Sequence, residues 1–349
     1  MMERGNLNLS VRIRLLFTGM ILLAVLLFFL DILFGSVSYP AWEVLQALFA
    51  PERVDPTLRT IIHEFRIPKA ITALLAGVAL SVSGLQMQTV FRNPLAGPYV
   101  LGISSGASLA VALFAMGFPI LVAGGLAWTG TWTVAVVAWI GSFLVMLLVL
   151  AVSARVNDNM TLLILGMLFS SGVGAVVNIL QYYSNESVLK SFIVWTMGSL
   201  GSITGHQLYV VAPAVLAGVL LAFLKIKDLN AFLLGESYAR SLGVRIGRSR
   251  LVIFAGASLL AGTITAFCGP IGFIGIAAPH LARVLFKSSN HLLLVPATLL
   301  TGANVMLLSD ILSQLPGTGT TLPINSVTAL LGIPVVIWMI VKNRKFASL

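Results

Sequence analysis

Long apolar runs dominate the chain, and short clusters of Gly, Pro or charge interrupt them. Reading the interruptions as ends gives ten segments, at about 15–34, 68–90, 98–117, 131–153, 161–183, 205–224, 251–268, 271–286, 292–312 and 325–341. Most come close to the ~20 residues with which an α-helix crosses a hydrocarbon core of about 30 Å. Lipid offers the backbone no hydrogen-bond partners, so segments of this kind must be helical. The short alternating strands of an outer-membrane barrel are not found. The pattern predicts an all-α polytopic membrane protein, with residues 1–349 forming one transmembrane domain.

Composition points the same way. Hydrophobic residues make up 58% of the 349 and charged residues 9%, against about 25% charged in a soluble domain. Arg4, Arg12 and Arg14 precede the first apolar run as in a signal peptide. That run continues to Phe34 without a small-residue cleavage site, so it is read as a retained first span. The single cysteine, Cys268, excludes an intramolecular disulfide and reads as a small apolar filler.

The net charge of +10 invites a nucleic-acid reading, but its placement decides otherwise. With the N-terminus inside, only Arg53, Arg59, Arg66, Lys69 and Lys190 of the 21 basic residues lie outside. This bias is the positive-inside signal, and it places both termini in the cytoplasm. Nucleic acid is not needed to explain the charge.

One basic stretch stands apart. LNAFLLGESYARSLGVRIGRSR (229–250) falls between the sixth and seventh spans, on the cytoplasmic side. Solvated connectors commonly carry such arginines. Here, however, Leu229, Phe232, Leu233, Leu242 and Val244 give a helix-forming stretch an apolar side, and Gly235 and Gly243 permit breaks into two short helices. Apolar side chains outside the membrane need a covering partner. Gly235 and Ala239, four apart, would share the face that meets it.

Two further segments interrupt helices where a plain bundle would not. FRNPLAGPYVLGISSGAS (91–108) follows the second span and CGPIGFIGIAAPH (268–280) the seventh, and these spans run in opposite directions. Corresponding Gly/Pro breaks in oppositely oriented halves are the pattern of an inverted repeat around a pathway; close packing by small residues is the competing reading. Gly102-Ile103-Ser104-Ser105-Gly106 fits G-x-S-x-G, but it opens a membrane helix with neither acid nor histidine at hand. No lysine follows a glycine, so a P-loop is absent. His280, with Arg283 one turn later, reads as interfacial rather than as a metal ligand. Asp31 and Asp310 lie near outer ends, whereas ion-driven carriers hold ionisable groups at mid-membrane depth. A transporter lacking both devices needs an energised partner.

Together RIPKAITALLAGVALSVSGLQMQTVFRNPLAGPYVLGISSGA, LNAFLLGESYARSLGV, GPIGFIGIAAPHLAR and TALLGIPVVIWMI resemble the FecCD family, in order and spacing, from about residue 60 to the C-terminus. Its members are permease subunits of ATP-binding-cassette importers for iron–siderophore complexes, haem and cobalamin. The resemblance implies ten spans per subunit, a homodimer or a fused or paired equivalent, two cytoplasmic ATPases that use ATP and Mg, and an extracytoplasmic binding protein, all at a bacterial inner membrane. It implies no catalytic residue, metal or cofactor for this chain itself. An iron–siderophore complex is the first expectation for cargo, with haem or cobalamin next. The rivals are an ion-coupled secondary transporter of another fold and a membrane enzyme built on Ser104 or Ser105.

The resemblance also implies roles for particular residues. Residues 229–250 would form coupling helices in an ATPase groove, with Leu234, Gly235, Ala239, Leu242 and Gly243 matching that motif. Arg66 and Lys69 match an Arg-x-Pro-Arg pattern that receives acidic residues of the binding protein. Pro68 suits a first helical turn, and the three-residue spacing sets both charges on one face; interfacial snorkelling is the alternative. Lys69 lacks the guanidinium fork of that pattern, and Gln314 stands where some relatives place a further arginine. Asn93 and Leu95 match the segment that narrows the inner end of the pathway, although an asparagine there equally suits a helix cap. Ser170, Ser171, Gly172, Gly174 and Asn178 match the span lining the channel on the dimer axis, a place where small residues also serve packing.

Overall fold

A computed structural model describes residues 2–117, 130–153, 155–156, 158–314 and 320–342. Arg344 and Lys345, expected at the cytoplasmic end, lie outside the described residues. The chain forms α1 (Met2–Leu33), α2 (Ala41–Phe49), α3 (Pro56–Val90), α4 (Ile103–Gly117), α5 (Gly130–Ser153), α6 (Asn159–Tyr182) and α7 (Glu186–Thr196). There follow α8 (Gly205–Leu224), α9 (Ile226–Leu233), α10 (Glu236–Ser241), α11 (Ile246–Cys268), α12 (Ile274–Phe286), α13 (His291–Ser313) and α14 (Ile324–Lys342). No strand occurs among the described residues. Seven of these helices are long and apolar enough to cross a membrane, and α4, α12 and α14 are shorter apolar helices in the remaining expected segments.

Boundaries differ from the apolar pattern where polar residues hide a helix. The second segment was expected from 68, yet α3 starts at Pro56, because Asp55 accepts the Thr57 N–H at 2.7 Å and Pro56 occupies the first turn. Its polar opening, with Arg59, His63 and Glu64, lowers hydropathy without breaking the helix. A wide turn over Ile61–Arg66 precedes Pro68, which has no N–H to give to the preceding turn. At the third segment, residues 91–102 form turns and α4 begins only at Ile103. Gly102 there adopts φ +79°, a left-handed conformation glycine takes without strain. The short helices α2 and α7 were not expected, since neither is long enough to register as a span.

Burial separates the centre from the periphery. In α3 and α11, 83% and 78% of the apolar window is buried, against 17% in α1 and 22% in α6. α3 therefore forms the axis, packed by α13, α11 and α12, while α1 lies against α13, and α5 bridges α4 and α11. The central contacts are backbone to backbone. Gly77 of α3 faces Gly302 of α13, Gly84 faces Gly275 of α12, and Gly106 of α4 faces Gly141 of α5; a Cβ at any of them would collide with a carbonyl. Without a hydrophobic drive between helices in lipid, such close approach supplies the packing energy.

Candidate transport site

The expected coupling segment begins with α9, held to the bundle by polar contacts. Asp228 Oδ2 accepts from Lys225 Nζ at 2.8 Å and from Ser249 Oγ of α11 at 2.7 Å. Gly235, at φ +100°, turns the chain into α10, where Glu236 pairs with the buried Arg250 of α11. Gly243, at φ +83°, then leads into α11. This turn corrects the expectation for Ala239. Folding α10 back over α11 lands Ala239 in the chain's own core, fully buried beside Leu229, Phe232, Ile253 and Phe254. The apolar side chains left outward are Leu234, Tyr238 and Leu242, at 62%, 51% and 59% exposure, with Leu233 beside them.

The expected gate follows the end of α3. Phe91 stacks on Phe254 with ring centroids 5.9 Å apart. Asn93 Oδ1 accepts the Leu95 N–H at 2.9 Å and its carbonyl accepts the Ala96 N–H at 3.1 Å, so Asn93 caps its own turn. Leu95 is exposed at the tip of that turn. The two broken segments meet: the Ile271 N–H donates to the Tyr99 hydroxyl at 3.3 Å, and Gly97 abuts Ile276. Gln88 of α3 donates to the Ile276 carbonyl at 3.2 Å and accepts from Arg283 at 2.6 Å. His280 is buried, with its ring edge-on to Trp338 at 6.2 Å.

On α6, Ser171, Gly172 and Asn178 are exposed and Ser170 and Gly174 partly so. Space beside Gly172 and Gly174 is open to 4 Å. Ser170 and Ser171 return their hydroxyls to the Gly166 and Met167 carbonyls, at 2.9 and 3.0 Å. The helix starts at Asp158, where the Thr161 hydroxyl and N–H donate to the carboxylate and hold it below the ordinary carboxylate range. α6 thus shows a small, polar, uncovered face.

At the opposite end of α3, the two expected docking cations both have partners within the chain. Arg66 is only 8% exposed. Its guanidinium donates to the carbonyls of Ile32 (2.8 Å), Leu33 (2.9 Å) and Val37 (2.7 Å), capping the end of α1. Gly35 leaves the room this requires, since a Cβ there would meet the guanidinium. Lys69 Nζ lies 3.0 Å from Asp310 of α13. Gln314 is likewise buried, donating to Asp31 of α1 at 2.8 Å, so it does not stand as an open docking position. A desolvated cation such as Arg66 must find carbonyls or carboxylates, and it found them inside the chain; Lys69 is partly exposed beside its carboxylate. A cavity of about 700 Å³ opens beside this cluster, lined by Phe65, Arg66, Lys69, Leu200, Asp310 and Gln314 among others.

Sequence reasoning missed one buried group altogether. Thr89, Asn230 and His291 form a chain of hydrogen bonds joining α3, α9 and α13. The sequence signal was Ser-Ser-Asn-His ahead of an apolar run, which marks a helix start but not its partners.

A bundle of long apolar helices, broken at 91–102 and 269–273 and with a small polar face on α6, has the make-up of a polytopic membrane protein. The chain belongs to the FecCD transport family, whose sequence model matches residues 22–342. It is 35% identical over 287 residues to the hemin transport system permease protein HmuU of Yersinia pestis, covering 81% of this chain and 84% of that protein. To the vitamin B12 import system permease protein BtuC of Klebsiella pneumoniae it is 34% identical, covering 81% of this chain and 83% of that one. A solved structure described as an inward-facing conformation of a metal-chelate type ABC transporter superposes with a TM-score of 0.80 at 29% identity, covering 94% of this chain and 99% of the other.

Proposed function

We propose that this chain is the membrane-spanning subunit of a binding-protein-dependent importer for a bulky metal chelate. An iron–siderophore complex is the first choice, and haem or cobalamin the next. The observation carrying this reading is the outward patch of Leu234, Tyr238 and Leu242 on a segment otherwise bolted to the bundle. An apolar patch outside lipid, on a rigid base, suits a partner that pushes on it. ATP and Mg would serve that partner, a cytoplasmic ATPase, and not this chain. Two copies would face each other across α6, with Ser171, Gly172 and Asn178 lining a pathway that Leu95 and Asn93 close at the inner end. A binding protein would dock over the cavity beside Lys69, in the extracytoplasmic space of a bacterial inner membrane. Arg66 supports that surface from beneath by fixing α1, and does not itself reach the partner.

The test is reconstitution in proteoliposomes with the cognate ATPase and binding protein, offering a ferric siderophore, hemin and cyanocobalamin in parallel. Uptake of one of them should require ATP inside the lumen corresponding to the cytoplasm. Uptake driven by an ion gradient in the absence of the ATPase would overturn the reading in favour of a secondary carrier.

A further inference from the structure

We infer that His291 is a positioning residue that locks the coupling segment to the last turn of the gate-bearing helix α3, through Asn230 on one side and Thr89 on the other. The inference rests on the importer reading and deepens it. It names the contact by which movement of α9 would reach residues 91–102.

His291 is fully buried at the start of α13, where an unpartnered polar group would be strongly disfavoured. Its hydrogen bonds can be assigned atom by atom. The His291 backbone N–H donates to Asn230 Oδ1 at 2.8 Å, so the amide oxygen faces α13. Nδ1 lies 2.8 Å from the same oxygen and therefore carries the ring proton. Nε2 is then the acceptor and takes the Thr89 hydroxyl proton at 2.8 Å. The amide nitrogen of Asn230 is also used, donating to Asn290 Oδ1 at 3.0 Å, and that oxygen accepts the Leu292 N–H at 3.0 Å as the cap of α13. One side chain of α9 thus clamps the start of α13, and the imidazole carries the link onward to α3.

Position gives this link its consequence. Thr89 precedes Val90, the last residue of α3, and the expected gate turns begin at Phe91. α9 otherwise meets this end of α3 through Leu229 and Phe232, in a cluster with Met87, Val90 and Phe91. Apolar contact is non-directional, so that cluster resists separation but permits sliding. The hydrogen bonds through His291 fix register. The Thr89 hydroxyl has a second acceptor, the Leu85 carbonyl at 2.8 Å, and only one proton to give. Turning to Leu85 keeps the hydroxyl paired and leaves only His291 Nε2 unmet, so the open link costs one buried acceptor and the closed link is the favoured state.

The test uses the full importer, with the chain assembled with its ATPase and binding protein in nanodiscs. Leu95→Cys, exposed at the turn tip, serves as reporter against the buried Cys268. Its labelling rate by a hydrophilic maleimide is compared in nucleotide-free and vanadate-trapped states. In the reporter background the rate should change between the two states. Thr89→Val, isosteric but without the hydroxyl, and His291→Leu should shrink that change about five-fold, the lower end of ordinary coupling between sites. ATP hydrolysis should continue, and Thr89→Ser should restore the response. A full response in Thr89→Val would overturn the inference, as would a Thr89→Ser no better than Thr89→Val, which would make the effect one of packing. Absence of ATP hydrolysis in the assembled importer with Leu95 unaltered would instead overturn the importer reading beneath it.

Discussion

Replacing Lys69 by Met removes one ammonium from a cluster that holds two carboxyl groups. Asp31 and Asp310 are 3% and 1% exposed, drawn together from the ends of α1 and α13. Lys69 Nζ lies 3.0 Å from Asp310, and Gln314 donates to Asp31 at 2.8 Å. Removing one partner of a buried ion pair costs about 3–5 kcal/mol, because the other charge stays buried and uncompensated. The Lys69 side chain is 20% exposed, so solvent already screens part of the interaction, and about 2–3 kcal/mol is the appropriate expectation. Large domains lose about 2–4 °C of melting temperature per kcal/mol, which predicts a fall of about 4–12 °C. The assay is built into the chain: Cys268 is its single cysteine and is buried, so a fluorogenic maleimide reacts as the bundle opens. In a double-mutant cycle, Lys69→Met combined with Asp310→Asn should cost less than the two changes summed, since each removes the other's unpaired charge. A wild-type melting temperature for Lys69→Met would refute the reasoning and return Lys69 to the role of a free docking cation.

Three further outcomes are expected. Gly302→Val should prevent a stable bundle, because its Cβ would overlap Ser81 and the Gly77 carbonyl; overpacking typically costs about 1–3 kcal/mol, and displaced backbone has little room to relax, so monodisperse protein with an unchanged melting temperature would refute it. Leu234→Asp with Leu242→Asp should leave the melting temperature unchanged but abolish co-purification with the ATPase, whereas Ala239→Arg should destabilise the isolated chain itself; the reverse pattern would mean that the outward face is wrongly assigned. The purified chain alone should hydrolyse no ATP above a lipid blank, since no lysine follows a glycine anywhere in it, and steady hydrolysis after the partner is removed would overturn that.

Much of the fold was legible because hydropathy and Gly/Pro punctuation report the local physics of a helix in lipid. Each of the ten expected segments overlaps an apolar helix, seven of them long enough to cross a membrane, and the chain breaks at 91–102 and 269–273. What stayed hidden were facts about orientation around a helix axis. Arg66 and Lys69 are three apart and do share one side of α3, yet that side turns inward to the end of α1 and to Asp310. Nothing local distinguishes an inward cation from an outward one when both kinds of partner lie far off in sequence. Ala239 shows the same limit, since the angle set at Gly235 decides whether its methyl group meets the chain's own core or a partner. His291 was hidden for a third reason, as its meaning resides in Thr89 and Asn230 and not in any motif of its own.

The polar clusters at the two ends of α3 also constrain how the bundle can move. At one end Lys69 bonds to Asp310 near the end of α13; at the other Thr89 bonds to His291 at its start. Between them Gly77 and Gly302 bring the two backbones into contact. Two helices pinned at both ends and touching in the middle cannot slide or tilt against each other without breaking a buried polar contact, so while the Thr89–His291 link is closed α3 and α13 form one rod. Motion must then be taken up where the helices are already broken, at 91–102 and 269–273, which pack together through Tyr99 and Ile271. A push on α9, bonded to one end of that rod through Asn230, would move the rod as a unit and deliver its displacement to the turn that carries Leu95.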